Sequence, residues 1–388
     1  MLLVSLFNFV SGFTLHKEVL AKCISFLDLL KDEYDFYLLD FELFRDNDII
    51  SDYNTSFAKY SVKSYLEEIN KTIPIKKAYE IPVYEQYERA IKNESFDGIT
   101  AEKIVLDVDI DVIFAFNNYI DPGFNRIACK RRLGYKGLRV LSMYMLPEHF
   151  DYLAYRYVTY LILNETFKHM SAKKLQLIAD PLDLRFEGFR YLLPDIRESR
   201  EIDNVLYEYF PFYQYFYFIH TRPQVREKEY RFIIGSTLYD KPRMETFDKY
   251  LATLFMKEFN NPEYRWYLTG ELFGKPYNSF IEASAFSVEV EKSRFGMVLN
   301  TYANDIVSTN KVSNFISRNC VPVICEGSDE RSRFFPKKVL EKLEIKNAGE
   351  LEYLLNNARY AELNEMLQAE FARYYDTDYY RKVFAEYF

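Results

Sequence analysis

The chain holds 388 residues, with 50 Lys and Arg against 58 Asp and Glu and a formal net charge of −8. That balance excludes a protein that coats nucleic acid by charge alone, although it leaves room for one basic cleft on an acidic body. Hydrophobic residues at 49% with 28% charged exclude a disordered chain, and the length predicts two domains of roughly 150–200 residues each.

Four cysteines (Cys23, Cys129, Cys320 and Cys325) form no CxxC pair, which points to reduced structural thiols in a cytoplasmic protein. The apolar run Met1–Val10 lacks a basic leader and a small-residue cleavage site, so a first strand is expected there and not a signal peptide. No stretch reaches the roughly 18 apolar residues of a membrane span.

In chain order, Met1–Phe9 reads as a buried strand, Val10–Leu15 as a loop with Gly12, and His16–Leu30 as an amphipathic helix leading to a strand at Phe36–Phe41. The loop brings backbone N–H groups and His16 within reach of a ligand, but it is not GxGxxG, so a strict dinucleotide fold is not supported. Val112–Phe116 is a further central strand. Lys130, Arg131, Arg132, Lys136 and Arg139 make the densest positive run, read either as a solvated helix end or as phosphate contacts. The strand Val140–Met145 then ends in Leu146–Asp151, which carries Glu148, His149 and Asp151 to its carboxyl edge. These are general-base candidates, with a capping cluster before the helix Tyr152–Tyr160 as the plainer alternative.

Ala179–Phe186 breaks regular structure. The domains are therefore expected at 1–180 and 181–372, followed by a last helix over 373–388. In the second half Tyr230–Ile234 is a strand, and Gly235–Met244 is a loop entering a helix at Glu245–Glu258. Gly235 and Ser236 allow close backbone approach, while Lys241 and Arg243 add charge, together what a diphosphate needs. Tyr264–Leu268 and Ser284–Val290 read as strands. Arg294–Ile324 reads as strand, polar loop, helix and strand, with Lys311–Arg318 as the helix and Asn319 and Pro322 as its stop. Gly349–Leu355, Tyr360–Tyr375 and Tyr379–Phe388 are helical.

Two α/β halves with a phosphate-type loop and a polar loop-helix in the second resemble the GT-B architecture of nucleotide-sugar glycosyltransferases. That resemblance implies two Rossmann-like domains facing across a cleft, with the C-terminal helix returning to the first domain. In many such enzymes the helix matched by Lys311–Arg318 begins with a basic residue and carries a Glu three positions later that holds the donor ribose. Lys311 matches the first, and Asn319-Cys320-Val321-Pro322 matches the closing turn. Asn314 stands where the Glu is expected; an amide still hydrogen-bonds a hydroxyl but without the charge-assisted contact.

Within that class the chain is most similar to the phage DNA β-glucosyltransferases. The likeness lies in Glu208-Tyr209-Phe210-Pro211 followed by Gln214-Tyr215, in Ile234-Gly235-Ser236, and in the helix ending at Asn319. There are two departures: Leu146 lies nearest the family's catalytic acid, and Leu238 replaces its first phosphate-loop arginine.

The resemblance implies transfer of a sugar from UDP-glucose or a similar donor to a hydroxymethylated base in double-stranded phage DNA, inside the host cytoplasm. Gly235, Ser236, Lys241, Arg243, Lys311 and Asn314 would hold the donor. Glu148 or Asp151 would be the base, with His149 and His16 as second choices, and Lys130, Arg131, Arg132 and Lys136 would meet DNA phosphates. No tightly bound cofactor is implied beyond the nucleotide-sugar substrate, no metal is indicated, and a monomer is expected. Three alternatives stay open: a saccharide or other non-DNA acceptor, a sugar-nucleotide epimerase, against which the scarcity of histidine (four in all) counts, and a non-catalytic binding subunit of the same fold.

Overall fold

The computed structural model describes residues 2–5, 24–42, 71–82, 112–116, 139–142, 190–193, 200–202, 205–211, 214–221, 227–238, 241–299, 307, 309–330 and 333–387. The chain divides into two compact units. One comprises Met1–Pro194, Ser199–Phe210 and Phe384–Phe388, the other Asp195–Glu198 and Pro211–Val383. Each is built on one mainly parallel sheet, the α/β class expected.

The first unit carries β1 (Leu2–Ser5), β2 (Phe36–Glu42), β3 (Ile75–Pro82), β4 (Val112–Phe116), β5 (Arg139–Ser142), β6 (Arg190–Leu193), β7 (Arg200–Ile202) and β8 (Val205–Tyr209). Their order is β3-β2-β1-β4-β5-β6-β8-β7, and only the β7–β8 pair is antiparallel. The chain thus winds outward from β1 to β3 and restarts at β4 on the other side, which is the Rossmann-like course. Because β6 and β8 pair onto β5, this unit reaches Phe210 and does not close at residue 180. Phe210 and Phe384 complete its aromatic packing. Phe210 meets Phe26 edge-on at 5.6 Å, and Phe384, from the last helix, meets Phe26 at 6.0 Å and Tyr34 at 5.9 Å.

The second unit runs β9 (Tyr230–Leu238), α1 (Lys241–Tyr250), α2 (Ala252–Glu258), β10 (Tyr264–Leu272), β11 (Lys275–Asn278), α3 (Ala283–Glu291), β12 (Ser293–Met297), α4 (Thr309–Ser317), β13 (Val321–Cys325), α5 (Lys337–Leu343), β14 (Glu344–Ile345), α6 (Ala348–Asn357), α7 (Tyr360–Phe371) and the start of α8 (Thr377–Tyr387), whose residues from Phe384 onward belong to the first unit. Its sheet order is β11-β10-β9-β12-β13-β14, again a double winding, with β11 alone antiparallel. Leu272 and Lys275 close the β10–β11 hairpin through Phe273 and Gly274, whose φ angles of 52° and 72° are those of a two-residue turn matched to strand twist. Among the described residues no helix is long and apolar enough to cross a membrane.

Three expectations are corrected here. Ser284–Val290 is the helix α3, not a strand. The helix expected from Glu245 begins at Lys241 and is interrupted at Leu251. Gly235 and Ser236 lie inside β9, paired with Tyr267 and Leu268, because β10 extends far enough to keep β9 in register beyond Ile234.

The end of α4 matches its sequence signals. Asn319 has φ 56°, its N–H reaches the Ile316 carbonyl at 3.0 Å, and the Cys320 N–H reaches that of Phe315 at 2.9 Å. Those are the two bonds of a left-handed helix cap. Asn319→Ala is expected to cost about 1–2 kcal/mol while Asn319→Gly is nearly neutral, as read from denaturant midpoints. Cys320 and Cys325 are free and buried, and burial pushes both thiols up to about 12, so they act as small apolar groups.

Candidate functional site

In the second sheet β9 and β12 are neighbours, yet the chain leaves β9 toward β10 and leaves β12 toward β13. The connections after these two strands therefore diverge, and the carboxyl ends at such a divergence are the place where open α/β sheets bind ligands. The helices that follow are α1, packed with α2 and α6, and α4, packed with α3 and β13.

The two helices each contribute a cation at their third residue. Arg243 of α1 is buried, and its Nη1 donates to the Thr237 carbonyl at 2.7 Å. Lys311 of α4 donates from Nζ to the Gly235 carbonyl at 3.3 Å. Both are thus anchored to the last turns of β9. Burial, with the Arg243 charge second, pulls the Lys311 ammonium from 10.5 down to about 7. Between the two anchoring carbonyls stands Ser236, buried, with an Oγ that has no hydrogen-bond partner among the described residues. A buried hydroxyl ordinarily finds one.

Gly235 serves packing more than ligand approach. A Cβ there would stand 2.6 Å from the Phe286 ring of α3, so the bare backbone lets α3 lie flat on the sheet.

Asn314 is buried and engaged: its Oδ1 accepts from Arg318 Nη1 and from Ser287 Oγ. Arg318 also lies 3.8 Å from Glu291. Beside it Ser313 accepts from Gln214 Nε2 at 3.2 Å, which ties the segment before the π-helix Tyr215–Ile219 to α4. No local sequence pattern signals the Gln214–Ser313 bond, which joins residues 99 apart in the chain. The Arg318 contact follows helical i, i+4 spacing and was readable.

Lys241 stands apart from this group, exposed and 3.6 Å from Glu245 of its own helix. Glu148, His149, Asp151, Lys130, Arg131, Arg132, Lys136, Gly12 and His16 lie outside the described residues.

Chemically, two cations and two helix starts at one sheet edge favour an anion. The Lys311 value sets a pH dependence. Its charged form dominates below about 7, so anion affinity is expected to fall as pH rises from 6 to 8.5, measurable by titration with UDP. The stability linkage has the same origin. Between about 7 and 10.5 the unfolded chain holds this proton and the folded chain does not, so stability rises with pH across that window and the penalty is complete below it.

No protein-family model matches the chain, and no curated protein does. Solved structures do match. The chain is similar to T4 phage β-glucosyltransferase. The complex of that enzyme with UDP-glucose is 13% identical, with a TM-score of 0.47, over 100% of this chain and 98% of that one. The glycotransferase of kitacinnamycin is 11% identical, TM-score 0.40, over 100% and 98%. A Listeria monocytogenes protein described as a UDP-N-acetylglucosamine 2-epimerase is 9% identical, TM-score 0.40, over 95% and 91%. Similarity at this level transfers no residue's role from one chain to another.

Proposed function

We propose that the chain is a glycosyltransferase that moves a sugar from a nucleoside diphosphate sugar, UDP-glucose or a close relative, to a hydroxyl acceptor. The observation that carries this reading is the cation pair at the switch point. Lys311 and Arg243 hold the carbonyls of β9 on either side of Ser236, and among the described residues no carboxylate raises the Lys311 ammonium. A diphosphate would supply the missing negative charge. It is also the group on which charge accumulates as the glycosidic bond breaks, so the same contacts that bind the donor lower the barrier. The Ser236 hydroxyl adds a donor to the same phosphates.

For the acceptor we propose a hydroxymethylated base in double-stranded DNA. Supporting it are the sequence likeness to the phage DNA β-glucosyltransferases over about residues 205 to 355 and the cationic run Lys130, Arg131, Arg132 and Lys136. In that reading the base is flipped out of the duplex, and Glu148 or Asp151 takes the proton of its hydroxyl. The test is to incubate the protein with UDP-glucose, other sugar nucleotides, and DNA with or without hydroxymethylated bases, and follow DNA mass. One sugar gained per modified base is expected. Unchanged DNA with every donor, while a saccharide acceptor releases nucleotide, removes DNA from the proposal.

A further inference from the structure

Asn314 follows Lys311 by three residues on α4, which puts it on the same face and about 4.5 Å further along the axis. A ligand whose diphosphate meets Lys311 therefore brings a ring bonded to that diphosphate up to Asn314. The polarity it meets there is fixed by the protein. A guanidinium has donors and no acceptor, so the atom that Arg318 Nη1 holds is the amide oxygen, Oδ1. Ser287 Oγ of α3 approaches the same oxygen at 3.4 Å. Both lone pairs of Oδ1 are thus taken.

Nδ2 is what remains. It has no acceptor among the described residues, and unlike Oε1 of Gln214 beside Ser313 it is not fully enclosed, although Asn314 as a whole is only 7% exposed. The group that holds the amide is itself anchored. Arg318 also reaches Ser317 Oγ at 3.5 Å and Glu291 of α3 at 3.8 Å. Lys228 donates to the carbonyls of Glu291 and Arg318 at 2.6 and 3.0 Å, which ties the ends of α3 and α4 together. The amide cannot turn over without setting its NH₂ against a guanidinium.

We propose, resting on the donor reading above, that Arg318 and Ser287 lock Asn314 as a hydrogen-bond donor, so that the ring beside the diphosphate is recognised through its oxygen lone pairs and not through its hydroxyl protons. A carboxylate in this place would offer only lone pairs and would demand those protons. The locked amide demands none. Arg318 is thus a positioning residue, acting through Asn314. A nucleoside diphosphate sugar flanks its diphosphate with two rings, the ribose and the transferred sugar, and both carry hydroxyls. The chemistry read is the same for either, and the choice of ligand separates them.

Methylating a hydroxyl keeps its acceptor and removes its donor. Calorimetric titration compares UDP with its 2′- and 3′-O-methyl ethers for the ribose, and UDP-glucose with its 2-O-methyl ether for the sugar. The unsubstituted protein is expected to bind the ethers within about tenfold of their parents. Asn314→Asp keeps the shape but puts a lone pair in place of Nδ2, so the parent-to-ether affinity ratio is expected to rise roughly tenfold for one ring alone, which names the ring. Arg318→Met frees the amide to turn and is expected to raise the same ratio, whereas Arg318→Lys, again a donor without an acceptor, keeps it low. Each ratio is taken within one variant, so a general loss of stability or affinity cancels. Exclusion of every ether by the unsubstituted protein, ratios that stay equal across the variants, or an equal rise for both rings overturns this proposal alone. No binding of UDP or UDP-glucose overturns the donor reading and this proposal with it.

Discussion

Replacing Lys311 by methionine is expected to weaken UDP-glucose binding roughly 10- to 100-fold, the ~1.5–3 kcal/mol of a hydrogen bond to a charged group. The same change is expected to leave the fold intact and to raise the unfolding midpoint at pH 6. Among the described residues the Lys311 ammonium donates to the Gly235 carbonyl, and burial depresses it to about 7, so the charge is held at a cost that methionine removes. A residue that destabilises the empty protein and strengthens the liganded one is the expected signature of a binding group. Binding and stability measured on one variant separate this from a structural role: a loss of stability with unchanged affinity would place Lys311 in the core and not at the donor.

The largest effect on folding is expected at Gly270. It closes the pairing of β10 with β9 opposite Leu238 at a φ of 137°, and a Cβ there would lie 2.3 Å from the Leu238 carbonyl oxygen. Neither partner is a free side-chain end. Gly270→Ala is expected to cost about 3 kcal/mol through combined backbone strain and overpacking. Gly274 is the internal control, with a φ of 72° and nothing within 4 Å of its Cβ position, so Gly274→Ala is expected to cost only about 1 kcal/mol. Urea midpoints of the two variants check the contrast, and equal losses would show that crowding at Leu238 is relieved.

What the sequence made legible was local. Asn319 and Pro322 announced the end of α4 because a left-handed cap is a property of a few adjacent residues, and the cap formed as expected. The segment Ser284–Val290 misled because Phe286, Val288 and Val290 alternate like a strand while Phe286 and Val290 also fit i, i+4. The helix prevailed, leaving Val288 exposed and Val290 buried, since Phe286 could then cover the bare backbone of Gly235.

In the sequence the two basic residues after β9, Lys241 and Arg243, read together as one phosphate loop. Once Lys241 opens α1, residues two apart on a helix no longer share a face, which is why Arg243 turns in to Thr237 while Lys241 pairs with Glu245 in solvent. That Arg243 and Lys311 influence each other depends on β9 and β12 being neighbours in the sheet, which no local pattern states.

The most direct measurement is calorimetric titration of UDP-glucose into the intact protein near pH 8, repeated in two buffers of different ionisation enthalpy. Lys311 is largely neutral there in the free protein and should regain its proton against a diphosphate. The predicted result is one binding site with uptake of about one proton, lost in Lys311→Met. Binding without proton uptake, or uptake that persists in the variant, would contradict a donor site built on Lys311.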